Sequence, residues 1–301
     1  MSVDMMMLLL PAFAACLVLT GIHVYLGLHV ISRGVIFVDL ALAQVGALGA
    51  TCAMWIGAEP GSAQSYFVSL GFTFVGAVLF TIARSQQARV PVEAFIGIVY
   101  AVCSAVAVIV ADRLPHGADE IREILVGNLL SVTWEHIAVT IGIYSAVGVF
   151  HFLFRRQFFL VSMDPATAEG QGLSIAKWDL LFYLSFGFVI TSSVAMGGVL
   201  IVFSYLVIPT VIVALFAEKT LTRLLLGWGV GFLGSVLGIG ASVQFDLPTG
   251  AAVVATFGLM IAVAFLARLL IPGEARSVLG DSHSHIAGQP RTKPPAVTEN
   301  S

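Results

Sequence analysis

Long apolar runs constrain this chain most, because a helix of about 20 apolar residues spans the roughly 30 Å hydrocarbon core of a bilayer. Charged residues make up 10% of the sequence, against about 25% in an ordinary soluble domain. We therefore predict an all-α integral membrane protein, a polytopic bundle of eight or nine transmembrane helices. The predicted spans lie at residues 5–28, 34–56, 66–83, 94–111, 137–154, 178–195, 199–217, 224–241 and 249–271.

A change of composition after residue 271 divides the chain into two parts. Residues 1–271 form the predicted transmembrane domain. Residues 272–301 are polar, rich in Pro, Ser and Gly, and without a helical period, so we predict a disordered tail. His283 and His285 in this tail form an H-x-H pair, which is a weak signal for binding a transition metal.

Basic residues predict the orientation in the membrane. The connections around Glu59, Gly197 and Asp246 carry no Lys or Arg, whereas the alternate connections do. The basic residues of those alternate connections are Arg33, Arg84, Arg89, Arg155, Arg156, Lys177, Lys219 and Arg223. By the positive-inside rule these connections are cytoplasmic. This predicts a multi-pass protein of the cell's inner (plasma) membrane, with the N-terminus outside and the tail in the cytoplasm.

Two of the connections are predicted to hold short helices. The outer loop 112–136 contains "EILVGNLLSVT", which is too short to cross a bilayer and predicts a re-entrant or interfacial helix. In the cytoplasmic connector 158–178, Asp164 can cap a helix that begins at Pro165. Gly170 and Gly172 can end that helix, so we predict a short helix at the cytoplasmic surface.

The motifs of several common enzyme classes are missing from the sequence. It contains no G-x-S-x-G, no H-E-x-x-H and no G-x-x-x-x-G-K-[ST] phosphate loop. We therefore predict that this chain is not an enzyme and holds no cofactor. Membrane lipid is an expected partner, and the net charge of −3 gives no indication of a nucleic-acid partner.

Asp39 and Gln44 lie within the apolar second span, where burial of an acid is costly and usually functional. In a helix that begins at Gly34, Asp39 lies about 7 to 8 Å from the cytoplasmic end and Gln44 lies near mid-bilayer. Asp39 shares a helical face with Ala43 and Gly46. We interpret Asp39 as a candidate residue of a cation pathway or gate, with a buried structural role as the alternative. Gln44 is a weaker metal candidate, and an interhelical hydrogen bond is its alternative role.

Other polar groups near the ends of predicted spans have structural explanations. Glu93 begins the fourth helix, where an acid interacts favourably with the helix dipole. His23, His29 and His151 are expected near helix ends, within reach of the membrane interface. The outer segment "LPHGADE" could meet a cation, but a solvated acidic loop explains it as well.

Four segments, in order, resemble the membrane permease subunits of the zinc- and manganese-type ATP-binding-cassette metal importers. They are "AFIGIVYA", "LPHGADEIREILVGNLLSVTWEHI", "DPATAEGQGL" and "AMGGVLIVFSYLVIPTVIVALFA". The resemblance extends from about residue 20 to residue 270. It implies import of a divalent metal, zinc or manganese, driven by ATP hydrolysis in a partner subunit.

The resemblance also implies partners and roles. Two copies of the permease associate with two ATP-binding cassette subunits, and an extracytoplasmic metal-binding protein delivers the metal. The connector corresponds to the coupling helix that docks on the ATPase. This role is therefore expected of the segment Asp164 to Gly172, with Pro165, Ala168 and Gly170 within it.

The second helix departs from the family pattern, which has a Gly-Asp pair followed four residues later by a His. Asp39 matches, but Val38 precedes it and Ala43 occupies the His position. We expect Asp39 to face the cleft between two permease copies and to favour a hard cation such as manganese. Two alternatives stay open: an ion-coupled secondary carrier in which Asp39 and Glu93 exchange protons, and a cassette importer of a metal chelate or other small solute.

Overall fold

The computed structural model describes residues 3–85, 91–115, 117–127 and 129–270, and it is helical throughout that part, without a β-strand. The tail, including His283 and His285, lies outside the described residues. The helices are α1 Val3–Ser32, α2 Val38–Trp55, α3 Ala63–Ser85, α4 Val92–Ala111, α5 Gly117–Val126, α6 Trp134–Leu153, α7 Arg155–Met163, α8 Pro165–Gly170, α9 Ile175–Gly197, α10 Val199–Ala214, α11 Thr220–Phe245 and α12 Thr249–Leu270.

The predicted all-α membrane bundle is confirmed. Eight of these helices are long and apolar enough to cross a membrane: α1, α2, α3, α4, α6, α9, α11 and α12. The remaining predicted span, 199–217, is the shorter apolar helix α10, whose 16 residues extend about 24 Å. Its N-terminal half packs against Leu19 of α1 and its C-terminal half against Gly27, so α10 runs in the same direction as α1.

Helices α2, α9 and α10 form the centre of the bundle. Most of their residues are buried, whereas α3, α4, α6, α11 and α12 expose apolar side chains on one face. An apolar outer face is what a helix in contact with lipid requires. Small residues allow neighbouring helices to pack closely on this centre. For example, the Ser69 hydroxyl of α3 donates to the carbonyl of Gly46 in α2 at 2.7 Å.

The loop 112–136, for which the sequence predicts a re-entrant or interfacial helix, packs into the bundle. Helix α5 is followed by a single 3-10 turn at Leu129–Ser131, and Leu129 is fully buried beside α1. Gly127, between these two elements, has φ +72° and lies against the backbone of Gly197 and Gly198. Gly198, with φ +77° and ψ 164°, is the single residue between α9 and α10.

The second span begins later than the sequence predicts. Gly34, at φ +67°, closes the end of α1, where the N–H of Val35 donates to the carbonyl of Val30 at 3.3 Å. A residue with this positive φ lies outside the right-handed helical region, so no helix begins at residue 34. Helix α2 therefore begins at Val38 and has Asp39 in its first turn, where the prediction had placed Asp39 well inside a helix.

The contact between Gly127 and Gly198 generates the first prediction. We expect Gly198→Ala to destabilise the protein by about 1 to 3 kcal/mol or more, because its backbone conformation is almost restricted to glycine. A Cβ there would also lie 2.4 Å from the backbone nitrogen of Gly127. Thermal unfolding of the detergent-purified protein measures the effect. The control is Gly142→Ala, in open space on α6; equal melting temperatures for the two variants would contradict the prediction.

Candidate functional site

Asp39 is a buried carboxylate without a hydrogen-bond partner. Its residue is 1% exposed, and neither carboxylate oxygen is hydrogen bonded within the described structure. The first N–H groups of α2 favour the charged form of the Asp39 carboxyl, and the negative charge of Glu93 disfavours it. An uncompensated acid in an apolar setting needs a cation, a proton or water. Neighbouring helices enclose the Asp39 side chain in the single chain. That Asp39 faces a cleft between two permease copies stays a prediction.

Glu93 lies in the first turn of α4, as the helix-dipole interpretation predicts. Its Oε1 accepts a hydrogen bond of 2.6 Å from the backbone N–H of Ile36, in the turn that leads into α2. Its Oε2 is buried and has no hydrogen-bond partner in the described structure. Two acids thus approach each other where α2 and α4 begin, and three of their four carboxylate oxygens are free of hydrogen bonds.

Gln44 lies beside a cavity of about 140 Å³ enclosed by α2, α4 and α5. The polar residues that line it are Gln44, Thr51, Tyr100 and Ser104. Gln44 Oε1 and Ser104 Oγ are buried without a hydrogen-bond partner in the described structure. A cavity of this size, lined by free oxygens, can hold several water molecules. Sequence reasoning missed Ser104, whose one signal is a hydroxyl within an apolar span.

The shared face of Asp39, Ala43 and Gly46 packs inside the protein. Ala43 is 2% exposed and belongs to the central apolar cluster. Gly46 is covered by Ser69 and Thr73 of α3. The position where the family has its histidine is therefore part of the packed core in this chain.

The prediction that three histidines reach the membrane interface is wrong. His23 and His29 are fully buried, because α6, α7 and α9 cover this face of α1. His151, in α6, is 1% exposed. Their ring nitrogens bond to buried hydroxyls: His23 to Ser193 at 3.1 Å, His151 to Ser185 at 2.8 Å and His29 to Ser162 at 2.9 Å. Among the described residues, no group of three or more His, Cys, Asp or Glu side chains is arranged to hold a metal ion.

A buried cluster of charges lies at the end of the bundle where α1 ends and α9 begins. Asp179 of α9 forms one ion pair with Arg33, which follows α1, and another with Arg84 of α3, whose Nε lies 3.0 Å from Asp179 Oδ2. The Arg33 guanidinium also covers the Phe182 ring at 4.1 Å. Sequence reasoning missed Asp179, although an acid at the second position of a predicted span was a signal for it.

The predicted surface helix of the connector is confirmed as α8. Asp164 caps it by accepting the Thr167 N–H at 3.0 Å, Pro165 is its first residue, and Ala168 is buried against the bundle. Hydrogen bonds from Thr167 hold the pKa of the Asp164 carboxyl below its ordinary value. The cap is therefore charged at neutral pH and is lost only as the pH falls through that lowered value.

The two glycines at the end of the connector helix differ in structure: one is the last residue of α8 and the other follows it, although the sequence suggests equal roles. Gly172 has φ +79° and forms the turn after the helix, whereas Gly170 is the last helical residue, in open space. Helix α7, which the sequence analysis did not predict, precedes α8 and buries Phe158, Val161 and Ser162.

Comparison with known proteins identifies relatives along most of the chain. The manganese transport system membrane protein MntC of Listeria innocua is 29% identical over 69% of this chain and 76% of its own length. MntC of Halalkalibacterium halodurans is 27% identical over 80% of each chain. The structure of PsaBC from Streptococcus pneumoniae in complex with Fab has the same fold, with a TM-score of 0.73 at 20% identity. That match covers 86% of this chain and 91% of the other.

The family assignment rests on nearly the whole described structure. The family model for the ABC 3 transport family matches residues 5–268, from the first helix to the last turn of α12. The match therefore includes the Asp39 region, the buried charge cluster and the cytoplasmic connector. This chain belongs to the ABC 3 transport family.

Proposed function

We propose that this chain is the membrane-spanning permease subunit of an ATP-driven importer of a divalent transition metal, with manganese as its cargo. The observation that carries the proposal is Asp39, a buried carboxylate without a hydrogen-bond partner in a chain of this transport family. The names of the relatives in Listeria innocua and Halalkalibacterium halodurans describe manganese transport. Zinc, the other metal implied by the resemblance, has less support.

The free oxygen atoms along α2 and α4 favour a hard cation. Asp39 and Glu93 provide carboxylate oxygens where the two helices begin, and Gln44 and Ser104 provide neutral oxygens at the cavity farther along them. Carboxylate, carbonyl and water oxygens suit manganese, whereas zinc prefers imidazole or thiolate. Ala43 occupies the position where the family pattern has a histidine, so this position supplies no imidazole. In this proposal Asp39 is the charged contact of the passing ion, and the cavity beside Gln44 holds water along its path.

The partners follow from the same proposal. ATP is hydrolysed by cassette subunits that dock on α8, whose exposed residues include Asp164, Pro165 and Gly170. A second permease copy and an extracytoplasmic metal-binding protein complete the transporter. The chain itself performs no catalysis, and its N-terminus lies outside the cell. The distribution of basic residues supports this orientation, because it leaves Arg33, Arg84 and the connector at the cytoplasmic side.

An importer of a metal chelate or another small solute is the competing function within the same family. The size of the cavity argues against it, because about 140 Å³ accommodates a few water molecules but not a large chelate. A proton-coupled secondary carrier would also use Asp39 and Glu93. Membership of an ABC transport family speaks against that mechanism.

Reconstitution tests the proposed function directly. In proteoliposomes, the chain with its cassette ATPase and binding protein is expected to accumulate manganese only when ATP is supplied. The chain alone is expected to hydrolyse no ATP, because it lacks a phosphate loop. A panel of manganese, zinc, iron and a metal chelate measures the cargo. Uptake that follows a proton gradient without ATP would instead identify a secondary carrier.

Asp39→Asn tests the role of the carboxylate. The amide keeps the shape and removes the charge, so manganese uptake is expected to fall by about a hundredfold or more. The folded yield is expected to hold, because no hydrogen bond to Asp39 is lost. Uptake of radioactive manganese, normalised to permease in the membrane, is the measurement. Glu59→Gln, at an exposed acid in another connection, is the control; normal uptake by Asp39→Asn would assign Asp39 a structural role.

Gly170, the last residue of α8, and Gly172, in the turn after it, provide a matched pair for testing the coupling helix. Gly172→Val is expected to cost more than about 1 kcal/mol locally, because valine at a positive φ is strained. This should lower ATPase docking and uptake. Gly170→Val occupies open space and is expected to have a much smaller effect. Copurification of the ATPase with each variant measures docking, and equal losses in both variants would show that the Gly172 turn has no special role.

A further inference from the structure

Ser162 connects the cytoplasmic connector to the membrane spans. It lies in α7, two residues before Asp164 caps α8, and is 2% exposed. Its Oγ accepts a hydrogen bond of 2.9 Å from Nε of Arg33 and lies 2.9 Å from Nδ1 of His29. A serine hydroxyl offers one donor and two acceptor positions, so it can bond to both residues at once.

Arg33 extends this connection to two further helices. Its guanidinium pairs with Asp179 of α9, and the second oxygen of Asp179 pairs with Arg84 of α3. All four residues, Ser162 included, are buried or nearly so. Charge-assisted hydrogen bonds are stronger than neutral ones, and burial strengthens them further. One hydroxyl therefore links the connector to α1, α3 and α9 through a continuous set of bonds.

The other contacts of α7 are of a different kind. The Phe158 ring stacks on His151 of α6, with centroids 4.2 Å apart, and meets Trp178 of α9 edge-on. Such contacts have preferred geometries but depend less on exact alignment than hydrogen bonds do, so the rings can shift by a small distance at little cost. Hydrogen bonds weaken steeply when they bend or lengthen. Ser162 is thus a point where displacement of the connector in any direction is resisted.

We propose that Ser162 is a coupling residue, which transmits displacement of α8 through Arg33 and Asp179 to α1, α3 and α9 so that these helices move with the connector. This inference rests on the proposed function, since it requires an ATPase that displaces α8. Ser162 touches neither cargo nor nucleotide. Its role is to position the spans relative to the connector.

The test is the amount of metal transported per ATP hydrolysed in the reconstituted complex. Ser162→Ala is expected to lower this ratio by about tenfold, the equivalent of one hydrogen bond to a charged group, while ATP hydrolysis continues. A merely structural serine would change the amount of folded complex but leave the ratio unchanged. Ser162→Thr retains the hydroxyl and is expected to keep most of the ratio.

Matched variants keep the proposal falsifiable if Ser162→Ala assembles poorly. Arg33→Lys retains the positive charge beside Asp179 but cannot also donate an Nε–H to Ser162, so the ratio should fall similarly. The double variant should fall no further than either single one, because both remove the same bond. Ser85→Ala, at an exposed hydroxyl that donates to the Ile82 carbonyl within α3, is the control. A wild-type ratio in both Ser162→Ala and Arg33→Lys would overturn the proposal.

A distance measurement separates this inference from the choice of cargo. Spin labels at Ala166 on α8 and Ser32 at the end of α1 occupy exposed positions. In the complex, their separation should stay constant between nucleotide-free and ATP-bound states, and should vary once Ser162 is alanine. Equal variation in both proteins would refute coupling through Ser162, whatever metal is carried. Absence of manganese uptake by the wild-type complex, with a constant separation, would refute only the proposed cargo.

Discussion

The buried charge cluster of Arg33, Arg84 and Asp179 is the interaction on which the arrangement of the bundle depends. Asp179 alone would be an uncompensated acid, and Arg33 and Arg84 would be uncompensated cations; together they offset much of one another's cost of burial. Removing one member of a buried pair typically costs about 3 to 5 kcal/mol, whereas an exposed pair is worth about 1 kcal/mol or less. The positions of α1, α3 and α9 are therefore fixed relative to one another where the connector joins them.

The opposite end of the bundle is held by a different kind of contact. Gly127 and Gly198 meet backbone to backbone, and both have a positive φ. The contact carries no charge, and its closeness depends on the absence of side chains. One end of the bundle is therefore joined by ion pairs and the other by close backbone packing. This asymmetry suits the proposed transporter, in which the driving force acts at the end that carries the connector.

Local pattern predicted much of this structure. Apolar runs gave the spans, and the Asp164-Pro165 pair gave the capped helix α8, because both features depend on residues close together in the chain. The histidines, Asp179 and Ser162 depend on contacts between distant segments; Arg33 and Asp179, for example, are separated by 146 positions. Such contacts leave no period in a single sequence. The late start of α2 depends on a turn at Gly34 that the apolar run conceals.

The chemistry around Asp39 follows from what the second helix lacks. With Ala43 packed in the core, no imidazole shares the site, and the nearest electrostatic influence from a side chain is a second acid, Glu93. Two acids with free oxygens repel one another unless a proton or cation lies between them. Small changes in the separation of α2 and α4 would therefore change the affinity for a cation steeply. An importer needs such a dependence, because the site that accepts the ion must release it when the helices move.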